Sequence, residues 1–494
     1  MKHPYSFVAV IIALLALSTL RAGDGGKSDD ILLSRPLSKV DALNLAILNN
    51  STILKAQKDV EAAFGVAIQI RAIVFPKLNH TGNYRVRQDS LIEANQHREL
   101  PSKTVKLPGL GPLRLGIGAM PRTLEIMPKT LELGGGTQPR VNNQDWATDI
   151  RVVQSLYEGG RMLSALRSSK LIREQAFLTF ESTVADTLLS VSNAYDTVLS
   201  TEKQIEVRAA AVTFLSAYLK DTRIRNEVGD LPEFDVVRQE VEVANAVAQK
   251  VQAVGDHRVA KQNLVQLLGY DLPITVSDDI ALKLSTPLEA RPYPNSLTTA
   301  LADALVNRPE IAALETEELL RNEAIIVAKA GAKPSVQAFA GYELTSRIET
   351  RAAGDQLHGG FAGGQVSWPI FDGFLTKGRV QEAVALRDKA GEARLETTRI
   401  VELQVRTAWS NLRTARAVLD AQTKNVAKAV RALELADARY KEGASAQIDV
   451  LNAQTALTEA RGLYVEGLRS YSVARTGLLR ATGADLLRSG TAIK

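Results

Sequence analysis

The chain has 494 residues, a net charge of +5 and no cysteine. That length admits several domains or one elongated one. A modest positive balance without any basic block argues against a dedicated nucleic-acid binder, and the lack of cysteine excludes disulfides, thiolate metal sites and an N-terminal lipid-bearing cysteine.

The first predicted element is a secretory signal over residues 1–22. Lys2 and His3 precede an apolar run from Phe7 to Leu20, and a polar Gly/Asp/Ser stretch follows from Gly23. The run is short for a helical span of about 20 residues, so a signal cleaved after Ala22 is favoured over an anchor. No later stretch is apolar enough to cross a bilayer as a helix. An exported chain is expected, and any membrane crossing must be made by strands.

The remainder is a tandem repeat. Ala42-Leu43 and Ala300-Leu301 open similar helices 258 apart, and Asn49, Ile53, Pro76 and Tyr84 match Asn307, Ile311, Pro334 and Tyr342 at the same offset. Further on the offset is 214. Leu156-Tyr157-Glu158-Gly159 matches Ile370-Phe371-Asp372-Gly373, and Gly229, Asp235 and Gly269 match Gly443, Asp449 and Gly483. A long ungapped match signals duplication. The first repeat is placed at 37–270, the second at 295–485, with a tail at 486–494.

Each repeat reads helix, strand, strand, long helix, tip, helix. The first helix is expected from Lys39 to Val74. Pro76 then opens a strand at about 75–87, in which Leu78, His80, Gly82, Tyr84 and Val86 alternate with Asn79, Thr81, Asn83, Arg85 and Arg87. The return strand is expected at about 147–157. Between them, 88–145 is rich in Pro and Gly and reads as a long, partly disordered loop. Its Gly134-Gly135-Gly136 lacks the Lys-Ser/Thr and the strand-to-helix setting of a phosphate loop. The second repeat places strands at about 334–348 and 361–371. Period-two alternation fits a half-buried soluble sheet, and equally a barrel with a lipid face and a wet lumen.

Helical hairpins follow at 159–268 and 373–482. Val405, Leu412, Leu419, Val426, Leu433 and Tyr440 fall seven apart, with Ala408, Ala415, Ala429 and Ala436 beside them, as do Val191, Val198, Ile205, Val212 and Leu219 in the first repeat. Large residues facing small ones let two helices approach closely. Gly229 and Gly443 suit left-handed caps at the tips. The long helices, near 159–228 and 373–442, are too long for a compact globule, and the two shorter helices of each repeat could stack end to end along them. A heptad hairpin alone is an ordinary coiled-coil spacer, so a soluble periplasmic scaffold or adaptor is the alternative reading. Four strands cannot close a barrel, however, and open edges in lipid are costly. If the strands enter a membrane, several copies must share one barrel.

At Pro369-Ile370-Phe371-Asp372-Gly373, Arg439-Tyr440-Lys441-Glu442-Gly443 and Gln447-Ile448-Asp449-Val450-Leu451-Asn452-Ala453-Gln454, the sequence resembles the TolC family of outer-membrane efflux and secretion channels. The resemblance covers about 37–485. It implies a mainly α fold with membrane β: a homotrimer whose helical hairpins form an α-helical barrel and whose four strands per protomer join a shared twelve-stranded β-barrel. It implies an outer-membrane location with a large periplasmic portion, and a passive conduit opened by contact with a periplasmic adaptor and an inner-membrane transporter. In that family aspartates after the second tip narrow the entrance. Asp449 takes the first such position and Asn452 the second, a departure that weakens the acidic ring. Some members close by linking a Tyr and an Arg of the second tip to an Asp of the first. Tyr440 and Asp235 match that Tyr and Asp, Ser445 replaces the Arg, and Arg238, which matches Asn452 across the repeat, offers a different cation. Asp235 and Asp449 equally fit helix-start acids favoured by the macrodipole, and Tyr440 equally fits heptad packing. Val228-Gly229-Asp230 and Glu442-Gly443-Ala444 resemble the family's adaptor-docking tips.

No enzyme is expected. The five histidines are scattered without metal-ligand spacing, no triad is recognisable, and no cofactor or metal is implied.

Overall fold

The computed structural model describes residues 36–86, 88, 103–106, 130–133, 144–271, 280–346 and 356–487. The expected signal at 1–22 lies outside them, as does most of the loop at 88–145. The chain divides into two units. One comprises Met1–Ile70, Leu166–Ile325 and Val380–Lys494, and the other Arg71–Ala165 and Ile326–Arg379.

The smaller unit holds an antiparallel sheet of four strands in the order β1 (Lys77–Val86), β4 (Gln144–Glu158), β5 (Ser335–Ser346) and β6 (Gln356–Ser367). Tyr84 faces Trp146, Ile150 faces Tyr342 and Leu344 faces His358. Register and alternation together give the sheet two unlike faces. Leu78, Tyr84, Val86, Ile150, Val152 and Tyr342 share one face and are exposed, Leu78 by 70%. Asn79, Thr81, Asp149, Arg151 and Glu343 share the other. Strand β6 stops at Ser367, short of the expected 371. Pro369 has no N–H to continue the ladder. It also begins earlier than expected, at Gln356. Within the insert, β2 (Lys103–Lys106) pairs antiparallel with β3 (Thr130–Leu133), a hairpin that the loop reading did not include. Strand β4 likewise takes in Gln144 and Asp145.

The larger unit is helical. The first repeat supplies α1 (Lys39–Asn49), most of α2 (Ser51–Arg71), α3 (Arg161–Glu227, entering from the smaller unit) and α4 (Glu233–Leu267). The second supplies α5 (Leu297–Asn307), most of α6 (Pro309–Ala330), α7 (Leu375–Lys441, entering from the smaller unit) and α8 (Gln447–Ala481). At 67 residues each, α3 and α7 run about 100 Å at 1.5 Å per residue. The single helix expected over Lys39–Val74 is broken. Asn50 is extended (φ −62°, ψ 125°), and residues 72–74 form a 3-10 turn. The break has a local cause. The Asn50 side chain accepts from the Thr52 amide (2.8 Å), capping α2, and donates to Leu267 O (2.6 Å), a free carbonyl at the end of α4. Asn50 thereby joins the end of α4 to the start of α2.

Arg308 stands at the matching place in the second repeat. It donates to Arg480 O at the end of α8 (3.3 Å), to Glu310 at the start of α6 (2.9 Å) and to Gln404 of α7 (2.9 Å). Arg480 in turn binds Asp186 of α3 (2.7 Å) and Glu310 (2.5 Å). Burial alone would raise the Glu310 carboxyl. Arg480 outweighs that and holds it below the ordinary carboxylate range.

The heptad seams form the cores. Val191, Tyr195 and Val198 of α3 pack with Leu43, Leu264 and Leu268 in one cluster. Val405, Leu412 and Leu419 of α7 pack with Ala300, Ala304, Tyr471 and Leu478 in the second. Val191 and Val405, one repeat apart, are both fully buried. Leu486, in the expected tail, is buried in the first cluster.

Candidate functional site

Both hairpin tips lie in the larger unit and are built the same way. After α3, Gly229 takes φ +82°, its amide donates to Asn226 O (2.9 Å), and the Asp230 amide donates to Arg225 O (2.8 Å). After α7, Gly443 takes φ +73°, its amide donates to Tyr440 O (3.0 Å), and the Ala444 amide donates to Arg439 O (2.8 Å). This paired closure uses up orphan helix-end carbonyls and needs a left-handed residue, which glycine supplies without strain. Val228, Gly229, Asp230, Glu442, Gly443 and Ala444 are all exposed.

The returning helices then start without side-chain caps, from Pro232 and Ala446. Asp235 and Asp449 are each the third helical residue, and their amides bond Pro232 O and Ala446 O at 3.1 Å. Each carboxylate therefore sits where the helix dipole favours a negative charge. Their surroundings differ. Asp235 is bound by Arg238 at 2.5 Å. Asp449 is exposed and has no ion pair among the described residues, and Asn452, one turn on, is exposed as well.

Arg238 does more than neutralise Asp235. It donates to the Gln447 side-chain oxygen (3.1 Å), and the Gln447 amide donates to Thr222 Oγ1 (3.0 Å). Gln447 and Thr222 are buried. The chain α4–α8–α3 is thus hydrogen-bonded across the two tips of one protomer. Tyr440 is buried among Leu215, Val450 and Leu451. Its ring lies 5.6 Å from that of Tyr218, with the Arg225 guanidinium 5.2 Å above it. The hydroxyls of Tyr440 and Tyr218 are buried without a hydrogen-bond partner. Burial, and then the neighbouring Tyr440, push the Tyr218 phenol up, so the Tyr218 ring stays neutral.

Of the predicted site residues, Asp235 and Arg238 come together. No hydrogen bond joins Tyr440 to Asp235 among the described residues. Sequence reasoning missed Tyr218, Thr222 and Gln447, and also Gln239, whose side-chain amide donates to Leu215 O (3.2 Å). A signal existed: Tyr218, Thr222 and Gln239 replace Ala432, Ala436 and Ala453 of the other repeat. Polar groups gained at small-residue seam positions need partners.

Comparison with known proteins decides the family. The model described as "Outer membrane efflux protein" matches residues 42–270 and 300–484. The chain belongs to the outer membrane efflux protein family. Among its relatives is the outer membrane efflux protein BepC of Brucella suis, 27% identical over 343 residues, 68% of this chain and 71% of BepC. Outer membrane protein TolC of Escherichia coli is 23% identical over 369 residues, covering 72% and 73%. The CmeC outer membrane channel of Campylobacter jejuni shares the fold at a TM-score of 0.68 and 15% identity, covering 90% of this chain and 85% of that one.

Proposed function

We propose that this efflux channel is the outer-membrane conduit of a tripartite efflux or type I secretion system, working as a passive homotrimer rather than as an enzyme. One observation carries the reading: β1 and β6 are the outer strands of a sheet with an apolar, exposed face and an opposite face that carries Asn79, Thr81, Asp149, Arg151 and Glu343. In a bilayer their free edges would cost several kcal/mol per unmet group, and closure by further copies removes that cost. Three sheets give twelve strands, and the chain reaches the outer membrane by way of a signal cleaved from residues 1–22.

In this reading three copies of Asp449 converge at the periplasmic entrance. A carboxylate ring in a narrow mouth attracts cations, and Asn452 leaves it with one carboxylate per copy where a second aspartate would give two. The Arg238–Gln447–Thr222 chain holds the tips of each protomer together. A periplasmic adaptor, itself bound to an inner-membrane transporter, engages the exposed tips at 228–230 and 442–444 and loosens that chain. Purified protein added to planar bilayers should give discrete cation-preferring conductance steps that grow in Gln447→Ala. A protein that never forms pores, and leaves membranes with a salt wash, would be a soluble scaffold instead.

A further inference from the structure

We propose that Arg151 is an anion-reading site on the polar face of the sheet, taking the carboxylate or phosphate group of a passing solute. The inference rests on the conduit reading, in which that face lines water.

Arg151 of β4 stands opposite Gly341 of β5, and Gly341 stands opposite Phe361 of β6. Two diagonal neighbours on β5 are within reach of a long side chain, Phe339 on one side and Glu343 on the other. The guanidinium takes the aromatic side. Its carbon lies 4.4 Å over the Phe339 ring and 5.7 Å from that of Phe361, and the two rings are 6.2 Å apart. Glycines make room for this clamp. A Cβ on Gly341 would stand 2.6 Å from the Phe361 ring, and one on Gly363 would stand 2.7 Å from Phe339.

Among the described residues Arg151 forms no hydrogen bond or ion pair, and its Nε is buried without a partner. Carboxylates are at hand, since Asp149 and Glu343 face each other on the next row. Asp149 instead accepts from Thr81. The positive charge of Arg151 is therefore unneutralised by any bonded partner among the described residues, while the aromatic contacts restrict its movement. A guanidinium so held loses little freedom on meeting an oxyanion and offers it a planar fork of donors. Rings on its face leave the charge intact and thin its hydration. Repeated in each copy, the site gives one fixed cation per protomer in the passage, opposite in sign to Asp449 at the mouth.

The test is the zero-current potential of single channels in a potassium chloride gradient. Arg151→Gln should shift it toward cation selectivity, with conductance steps still discrete. Phe339→Leu keeps the charge but frees the guanidinium to swing to Glu343, and should shift it the same way. Arg151→Lys should shift it less than Arg151→Gln. Added inorganic phosphate should block wild-type current more than Arg151→Gln current. Channels of either Arg151→Gln or Phe339→Leu with unaltered potential and phosphate block overturn the inference and leave the conduit standing. If Arg151→Gln forms no channels, the Phe339→Leu result decides. Wild-type protein that forms no channel at all removes the conduit reading, and this inference with it.

Discussion

Asp449 and Asp235 occupy the same third helical position after the same glycine tip, yet only Asp235 is bound by a cation. Duplication gave both helices a favourable N-terminal acid, and Arg238, where the second repeat has Asn452, took one of them for structure. Asp449 is left exposed and without an ion pair among the described residues. Asp449→Asn should lower cation preference and blunt block by divalent cations in bilayers, while trimer assembly is unaffected. Unchanged selectivity in a well-formed trimer would reduce Asp449 to a helix-start residue. Tyr440 gives the converse expectation. Its hydroxyl has no partner within the protomer, whereas its ring fills the tip core. Tyr440→Phe should keep wild-type conductance, and Tyr440→Ala should destabilise the tips by about 3 kcal/mol, a large-to-small core loss, seen as faster proteolysis there. A conductance rise in Tyr440→Phe would assign the hydroxyl to a bond with another protomer.

The helices are held at their breaks as much as along their seams. Two short helices meet end to end at Asn50 in the first repeat and at Arg308 in the second. The second junction carries charge. Because the Glu310 carboxyl is depressed, its contribution is complete above the ordinary carboxylate pKa and is lost as pH falls through the lowered value. Helical signal at elevated temperature should therefore weaken from pH 5 downward, and Glu310→Gln should flatten that dependence while lowering stability at neutral pH. An identical acid profile in the variant would mean that other carboxylates control it. The seams were legible beforehand, because Val405, Leu412 and Leu419 repeat at a period that only a buried helix stripe explains. The break at Asn50 was not, since Lys39–Val74 has no internal proline and the deciding bond goes to Leu267, far along the chain. The same holds at the tips. Tyr440 announced itself by spacing, but its neighbour Tyr218 and the Gln447–Thr222 bond depend on how two hairpins meet. In the sheet, the return strand at 147–157 was expected, but not that Arg151 within it would lie on Phe339 rather than reach Glu343.

The whole molecule follows from an incompleteness. A sheet whose outer strands have no further partner among the described residues, with an apolar exposed face and joined in sequence to helices of 67 residues, would not be a finished membrane structure on its own. If the first strand pair turns outside the cell, external protease on intact cells should cut within 88–145 and spare α3 and α7. Cutting only after the outer membrane is opened would reverse that placement. The central claim is that edges are closed by identical copies. The mass of the detergent-solubilised protein tests it most directly, read together with its strand content. Three chains per particle with the strands intact is the expected result, and a stable monomer that keeps its strands would contradict it.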